Sequence, residues 1–143
     1  MPQEMKTLLQ RMYDEAFNDG KMDVLDEMIA DDYIRHQPPY ATVKGKGDYK
    51  KFVTDVRRGY TGFNIAVEET IITGDVSVVR VILSGKHTGQ TPTVQASPTG
   101  KQVSMTGCTI SHWKDGKIVE EWAHNDYLGL TQQFGVVPPP GLY

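Results

Sequence analysis

The sequence predicts an α+β domain in which helices come first and an antiparallel sheet follows. Apolar residues Met5, Leu8, Leu9, Met12 and Ala16 recur at helical spacing near the amino terminus. From Phe63 onward the pattern is strand-like, in segments separated by turn residues. Helices followed by a long antiparallel sheet are the composition of an α+β fold.

Taken in order, the first helix is expected to end near Asn18-Asp19-Gly20, where glycine can cap it. A second, short helix carries Leu25, Met28 and Ile29 on one side. The stretch from Tyr33 to Pro39 is too short for a helix and is closed by prolines; a loop with Gly45 and Gly47 follows. A third helix begins near Asp48 and turns Phe52, Val53 and Val56 inward. Strands are expected over 63–72, 76–87, 103–113 and 118–126, with a turn at Thr73-Gly74-Asp75 and a loop through Pro92, Pro98 and Gly100. Residues 127–134 read as a short helical turn, and Pro138-Pro139-Pro140 cannot be helix interior.

The last hairpin concentrates the chemistry, because His112, His124 and Asp126 recur there at strand spacing among apolar neighbours. Its turn decides which side chains meet. A two-residue loop at Asp115-Gly116 would pair Lys114 with Lys117 and turn His112 away from Asp126. A three-residue loop, Lys114-Asp115-Gly116, with Gly116 left-handed as a bulge pairs Trp113 with Lys117. The Lys-Asp-Gly-Lys sequence favours the second, with glycine just after the two turn residues. His112, Cys108 and Ser104 then share a face with Ile118, Trp122, His124 and Asp126.

Length and charge narrow the function. At 143 residues the chain is expected to be one domain, 1–143, with room for a pocket as well as a core. A net charge of -3 with scattered Lys and Arg argues against a nucleic-acid partner. The single cysteine, Cys108, cannot form an intramolecular disulfide and fits a reducing compartment. With no signal-like start and no uninterrupted apolar run, neither secretion nor a membrane partner is expected, and the chain reads as cytoplasmic. There is no Gly-x-Ser-x-Gly elbow, no zinc-type cysteine pair and no glycine-rich phosphate loop. His124-Asn125-Asp126 lacks the further downstream histidine that a mononuclear iron site requires. No metal and no cofactor are therefore expected.

A twisted sheet curving around a helix would leave a conical cavity, and His36, His87, His112, Trp122, His124 and Asp126 are candidates for its wall. At this point the sequence resembles the SnoaL-like polyketide cyclases, ester cyclases of the NTF2-like superfamily. The residues carrying the resemblance are the run Ala30–Pro39, Gly74-Asp75, Gly85-Lys86-His87-Thr88-Gly89, Pro98-Thr99-Gly100-Lys101 and the run Asp115–Trp122, continuing into Asp126 and Gln132-Gln133-Phe134-Gly135. The resemblance implies an NTF2-like cone, a homodimer, and cofactor-independent ring closure of a small polyketide-like or ester substrate by intramolecular aldol condensation. It also implies that Asp126 is the general acid/base with His112 beside it, since they fall where the characterised cyclases carry an aspartate on the last strand and a histidine on the strand before.

The chemistry follows from the residues as well. A carbon between two carbonyls is a weak acid, and a poised carboxylate over it can remove its proton, which is worth ~10²–10⁴-fold in rate. Asp126 would do this, and His112 or Asp126 would return a proton to the alkoxide; His36, His87, Trp122 and His124 would contact substrate. Each has another reading: Asp126 as the cap of the last helix, Trp122 as packing, His36 and His87 at a strand end or rim, and His124 on a dimer surface. Hydrolase or isomerase chemistry on the same cone, of the epoxide hydrolase or ketosteroid isomerase type, and a non-catalytic ligand-binding dimer remain as alternatives. The tail Val136–Tyr143 is expected to lie over the partner subunit or the cavity mouth.

Overall fold

In the computed structural model, which describes residues 2–136, the amino-terminal apolar stripe forms helix α1 (Pro2–Arg11) and continues without a break into a π-helical stretch, Met12–Asn18. Met5 and Leu9 of the first part and Met12, Tyr13, Ala16 and Phe17 of the second are buried. The wider π turn holds the Tyr13 and Phe17 rings 5.4 Å apart and nearly parallel. The helical run stops at Asp19, as expected, with Gly20 left-handed at φ +73. Carbonyls left over at that end are taken by Arg57, whose Nε donates to Phe17 O at 2.7 Å and Nη2 to Asn18 O at 3.3 Å.

Helix α2 (Asp23–Met28) ends one residue earlier than its apolar pattern suggests, because Ile29 begins a strand. Strand β1 (Ile29–Gln37) and strand β2 (Tyr40–Lys44) form a hairpin across Pro38-Pro39, where the pattern disclosed only an alternative reading of His36 as a strand end and then a loop. Helix α3 (Lys46–Arg58) follows, with Tyr49, Val53 and Val56 buried. Strands β3 (Tyr60–Thr73), β4 (Val76–His87), β5 (Gln102–Lys114) and β6 (Lys117–Asn125) then run as an antiparallel meander, and helix α4 (Tyr127–Phe134) closes the described chain. The sheet has six strands in the order β2-β1-β6-β5-β4-β3; β1 lies parallel to β6 and every other pairing is antiparallel. This is the α+β class expected. Residues 137–143, most of the tail for which a covering role was expected, lie outside the described residues.

The helices cover one face of the sheet. Asn18 fastens them to it, its side-chain amide donating to Ile65 O at 3.0 Å while its Oδ1 accepts from Ile65 N at 2.7 Å. Pairing slips between Thr61 and Asn64 and between Val67 and Glu69 of β3, and such bulges bend a strand and increase its twist.

The final hairpin differs from the expected register. Asp115 and Gly116 both have positive φ, +53 and +77, so the loop has two residues, and Lys114 faces Lys117. That conformation twists in the same sense as the strands it joins, which a plain type I turn would not do. The one-residue offset is corrected inside β6: Trp113 faces Ile118 and His112 faces Glu120, leaving Val119 as an unpaired bulge. Beyond the bulge Ile110 faces Trp122 and Cys108 faces His124, so His112, Trp122 and His124 do share a face. It is the outer one. The core side is held by the odd-numbered partners Trp113, Ser111 and Thr109 with Glu121 and Ala123, all buried. Trp113 Nε1 donates to Ser77 Oγ at 2.9 Å, which fixes its ring there.

His87, at the end of β4, is fully buried, and its ring lies 3.9 Å from that of Phe134 and almost parallel to it. Its Nδ1 accepts from Thr99 N at 3.2 Å, so the proton sits on Nε2, which has no hydrogen-bond partner among the described residues. Burial lowers the imidazole pKa, against a weaker opposite effect of the Gly89 backbone. Protonation therefore favours the unfolded chain: the His87 contribution is complete above the ordinary value near ~6.5 and is lost as pH falls below it towards the lowered folded value. His87→Phe should flatten the fall in unfolding free energy between neutral and mildly acidic pH, measured by urea titration at a series of pH values. A slope equal to that of the unsubstituted protein would contradict this account.

A candidate active site under the sheet

Between the inner face of the sheet and the helices lies a cavity of about 50 Å³. Its sheet wall is apolar at Ile65, Val81, Leu83 and Met105 and polar at Thr109 and Asn125; Tyr13 and Phe17 of the π-helical stretch, Tyr49 and Phe52 of α3, and Tyr127 and Leu130 of α4 line its other side. Tyr13 and Phe17 reach it because the π turn sets both rings on one side. Gly107 makes room for Asn125: a Cβ there would stand 2.0 Å from Asn125 Oδ1. The Asn125 amide in turn donates to the Tyr127 hydroxyl at 3.1 Å.

The charged group on the wall is Arg35, buried along with Tyr33 and Gln37 on the inner face of β1. Parallel pairing places Arg35 opposite Glu121 of β6, and Nη1 donates to Glu121 Oε1 at 3.4 Å. Tyr33 OH donates to the same oxygen, and Ser111 Oγ donates to Oε2. Glu121 is thus a buried carboxylate with both oxygens occupied, set behind the cavity wall. Arg35 Nε donates to Gln37 Oε1 at 3.2 Å, and Nη2 has no partner among the described residues. The guanidinium lies 5.6 Å from the centroids of both the Tyr49 and Phe52 rings.

Burial works against the Arg35 charge, but Tyr49, Tyr33 and Glu121 outweigh it and hold the guanidinium pKa above its ordinary value. Burial, reinforced by Glu121, raises the phenols of Tyr13 and Tyr49. Tyr60, also on the wall, is pushed up to about 12, again chiefly by burial. The phenols therefore stay protonated at neutral pH. The site presents a fixed cation with a free donor arm, phenolic hydroxyls and a carboxamide, an arrangement suited to negative charge developing on a bound oxygen.

None of the six side chains expected on the wall lines this cavity. Asp126 is exposed and accepts from Gly129 N at 2.9 Å, so it caps α4; the chain leaves the sheet at Asn125, and the carboxylate is turned towards the helix amides. His112 is exposed on the outer face, where its ring lies 4.9 Å from that of Trp122. The expected placement of Asp126 and His112 in one enclosed hollow is thus corrected: the helices cover the opposite face of the sheet from His112, and Asp126 caps α4. His36, half-buried on the outer face, pairs through Nε2 with Glu120 Oε2 at 2.6 Å and stacks on Trp122 with centroids 5.3 Å apart. Trp122 is half-buried there and His124 is exposed beside Cys108, while His87 belongs to the packing against Phe134.

The pattern did not disclose Arg35, because no strand over 29–37 was expected, nor Glu121, because the face of the last strand expected to point inward was the one bearing Trp122 and His124. Period-two alternation over 29–37 would have put Tyr33, Arg35 and Gln37 on one side.

The family model for SnoaL-like polyketide cyclases matches residues 7–134. The chain belongs to that family. IdmH, a provisionally assigned polyketide cyclase from Streptomyces antibioticus, is 26% identical with a TM-score of 0.75, over 92% of this chain and 98% of that one. A provisionally assigned SnoaL-like polyketide cyclase from Jannaschia sp. CCS1 is 24% identical with a TM-score of 0.82, over 96% of this chain and 94% of that one. AclR, provisionally a hydroxylase from Streptomyces galilaeus, has a TM-score of 0.79 at 22% identity, over 96% of this chain and 85% of that one. The last two likenesses carry the fold alone. Comparison with curated proteins gives no match. Among the described residues no helix is long and apolar enough to cross a membrane.

The two carboxylates are expected to differ sharply in what they support. Glu121→Leu leaves Arg35 buried without its counter-ion and should cost about 3–5 kcal/mol. Asp126→Ala removes only a helix cap and should cost about 1 kcal/mol. Urea denaturation of both variants checks this, and an Asp126→Ala loss equal to that of Glu121→Leu would contradict the assignment of Asp126 as an exposed cap.

Proposed function

We propose that this SnoaL-like chain is a cofactor-independent, cyclase-like enzyme that closes a ring in a small β-dicarbonyl substrate, of polyketide or ester type, by intramolecular aldol condensation. The observation that carries the proposal is the free arm of the Arg35 guanidinium on the wall of an otherwise largely apolar cavity, among phenols that keep their protons. An enolate oxygen bound there is stabilised as it forms. The enolate carbon attacks a distal third carbonyl of the same molecule, one carbon–carbon bond forms as the C=O π bond opens to an alkoxide, and the alkoxide takes back from water the proton that water removed.

Among the described residues the cavity wall carries no carboxylate, which suits a substrate whose carbon acid is already activated by two carbonyls. Proton removal then falls to water entering with the substrate. Asp126, which follows the wall residue Asn125 in the chain, provides the contrasting arm of the test. Holding both ends of a flexible substrate together is the entropic share of the cavity walls.

We also propose that the outer face of the sheet seats a second copy of the chain. Ile71, Val78, Ile110, Trp122 and His36 form one continuous row across five strands, and Ile71 is 53% exposed. No helix of the described chain covers this row.

With a linear β-keto ester bearing a distal ketone as substrate and chromatographic detection of the cyclic isomer, Arg35→Gln should lower kcat by about 10²–10³-fold, and Asp126→Asn should lower it far less. Full activity in Arg35→Gln would overturn the enolate role; loss of activity confined to Asp126→Asn would make the aspartate the base. Light scattering of Ile71→Arg and Ile110→Arg should show loss of the dimer, and an unchanged mass in both would remove the outer face as its interface.

A further inference from the structure

The cavity that holds Arg35 is small for the substrate class proposed for it. At about 50 Å³ it has space for a few water-sized groups, whereas sites for ligands of drug size usually offer ~300–1,000 Å³. Beside it on the surface is a groove of about 590 Å³ between β2, α3 and the loop after β4. Two residues, Phe52 and Thr93, line both spaces. Phe52 is half-buried on α3, its ring stacked on Tyr49 at 6.4 Å and in contact with the Arg35 guanidinium, so one side of the partition meets the cation and the other meets the groove. Thr93 is fixed opposite by its loop, in which Thr91 Oγ1 donates to Val94 O at 2.7 Å and Gln95 Nε2 to Thr91 O at 3.2 Å.

We infer that cavity and groove are two compartments of one binding site, the inner taking the acidic β-dicarbonyl head of the substrate and the outer taking the rest of the same molecule. The inference rests on the function proposed above and adds where the unreacted chain lies. The groove suits an apolar chain with polar ends: Tyr40, Val43, Phe52 and Pro92 offer apolar surface, while Lys51, paired with Asp55 at 2.6 Å, stands at the rim. Phe52 is then a specificity-determining residue, since a chain can pass from groove to cavity only where its ring and Thr93 leave room.

Two diones with the same acidic head test this. Binding of pentane-2,4-dione and nonane-2,4-dione to the intact protein is measured by amide chemical-shift titration. The longer compound should bind at least about tenfold tighter, because each buried methylene is worth roughly fourfold in affinity. Its extra shifts should fall on residues 40–43 and 92–95. Ala41→Trp and, separately, Thr42→Trp fill the groove from an exposed strand, and at least one should bring the ratio of the two affinities to within about threefold. A ratio near unity in the unsubstituted protein, or one that both tryptophan variants leave intact, overturns the inference. Arg35→Gln separates this outcome from the earlier reading: binding of the short dione that is indifferent to Arg35→Gln overturns the enolate role, while the ratio still reports on the groove.

Discussion

A buried ion pair between two parallel strands organises this molecule. Arg35 and Glu121 face each other across the β1–β6 pairing, both almost inaccessible to solvent. Desolvating two such charges is costly, and their attraction offsets that cost only where further hydrogen bonds occupy the remaining polar atoms. The structure supplies them from several elements: Tyr33 and Gln37 from β1, Ser111 from β5, and the Tyr49 and Phe52 rings from α3. A slip of one residue between β1 and β6 would put Ile34 or His36 inside and leave one charge uncompensated. The pair therefore specifies the register of the one parallel pairing among the described residues, and through it the position of the cation on the cavity wall.

The amino-acid pattern disclosed the fold more fully than the site. Helical spacing from Met5 to Ala16, the glycine stop at Gly20 and the four long strands were legible because each depends on local chemistry. The hairpin turn was not, because Asp115-Gly116 suits both a two-residue loop and a three-residue loop with a bulge, and the residue that decides between them is Val119. Nothing about a valine in mid-strand signals a bulge. Its cause lies across the sheet, in the requirement that Trp113 and Ile118 both point into the core. Parity held for His112, Trp122 and His124, which do share a face, but not for Ile118, which the bulge turns inward beside Trp113, nor for Asp126, which caps α4. What pattern alone could not supply was which face the helices cover.

Charge and polarity ran against the usual inference on that last point. An imidazole-rich face invites a functional reading, and His36, Trp122 and His112 do make a stacked cluster, with Glu120 paired to His36. The cluster lies on the uncovered side of the sheet. On the covered side, the residues proposed to bear on chemistry look unremarkable in sequence: an arginine three before a proline, the second of two adjacent glutamates, and tyrosines at helical and strand spacing. A buried polar group is informative only once its burial is known, and burial here is decided by the pairing of β1, a strand closed by two prolines.

The same reasoning bears on why one architecture can accommodate several chemistries. The cone positions a wall, not a reaction, and neighbours of closely similar fold are provisionally described as cyclases and as a hydroxylase. What distinguishes a member is the set of groups its strands and helices turn inward. In this chain they are a cation, several protonated phenols and a carboxamide, with the nearest buried carboxylate held behind the wall by Tyr33, Ser111 and Arg35 itself. On the function proposed for it, such a wall would lower the energy of an oxyanion without supplying a free base, and the acidity of the substrate would become part of the catalytic requirement. On that proposal a single ketone, whose α-proton is many powers of ten less acidic than that of a β-dicarbonyl, would gain too little from the same contacts to react, and selection among substrates would rest on their carbon acidity before their shape.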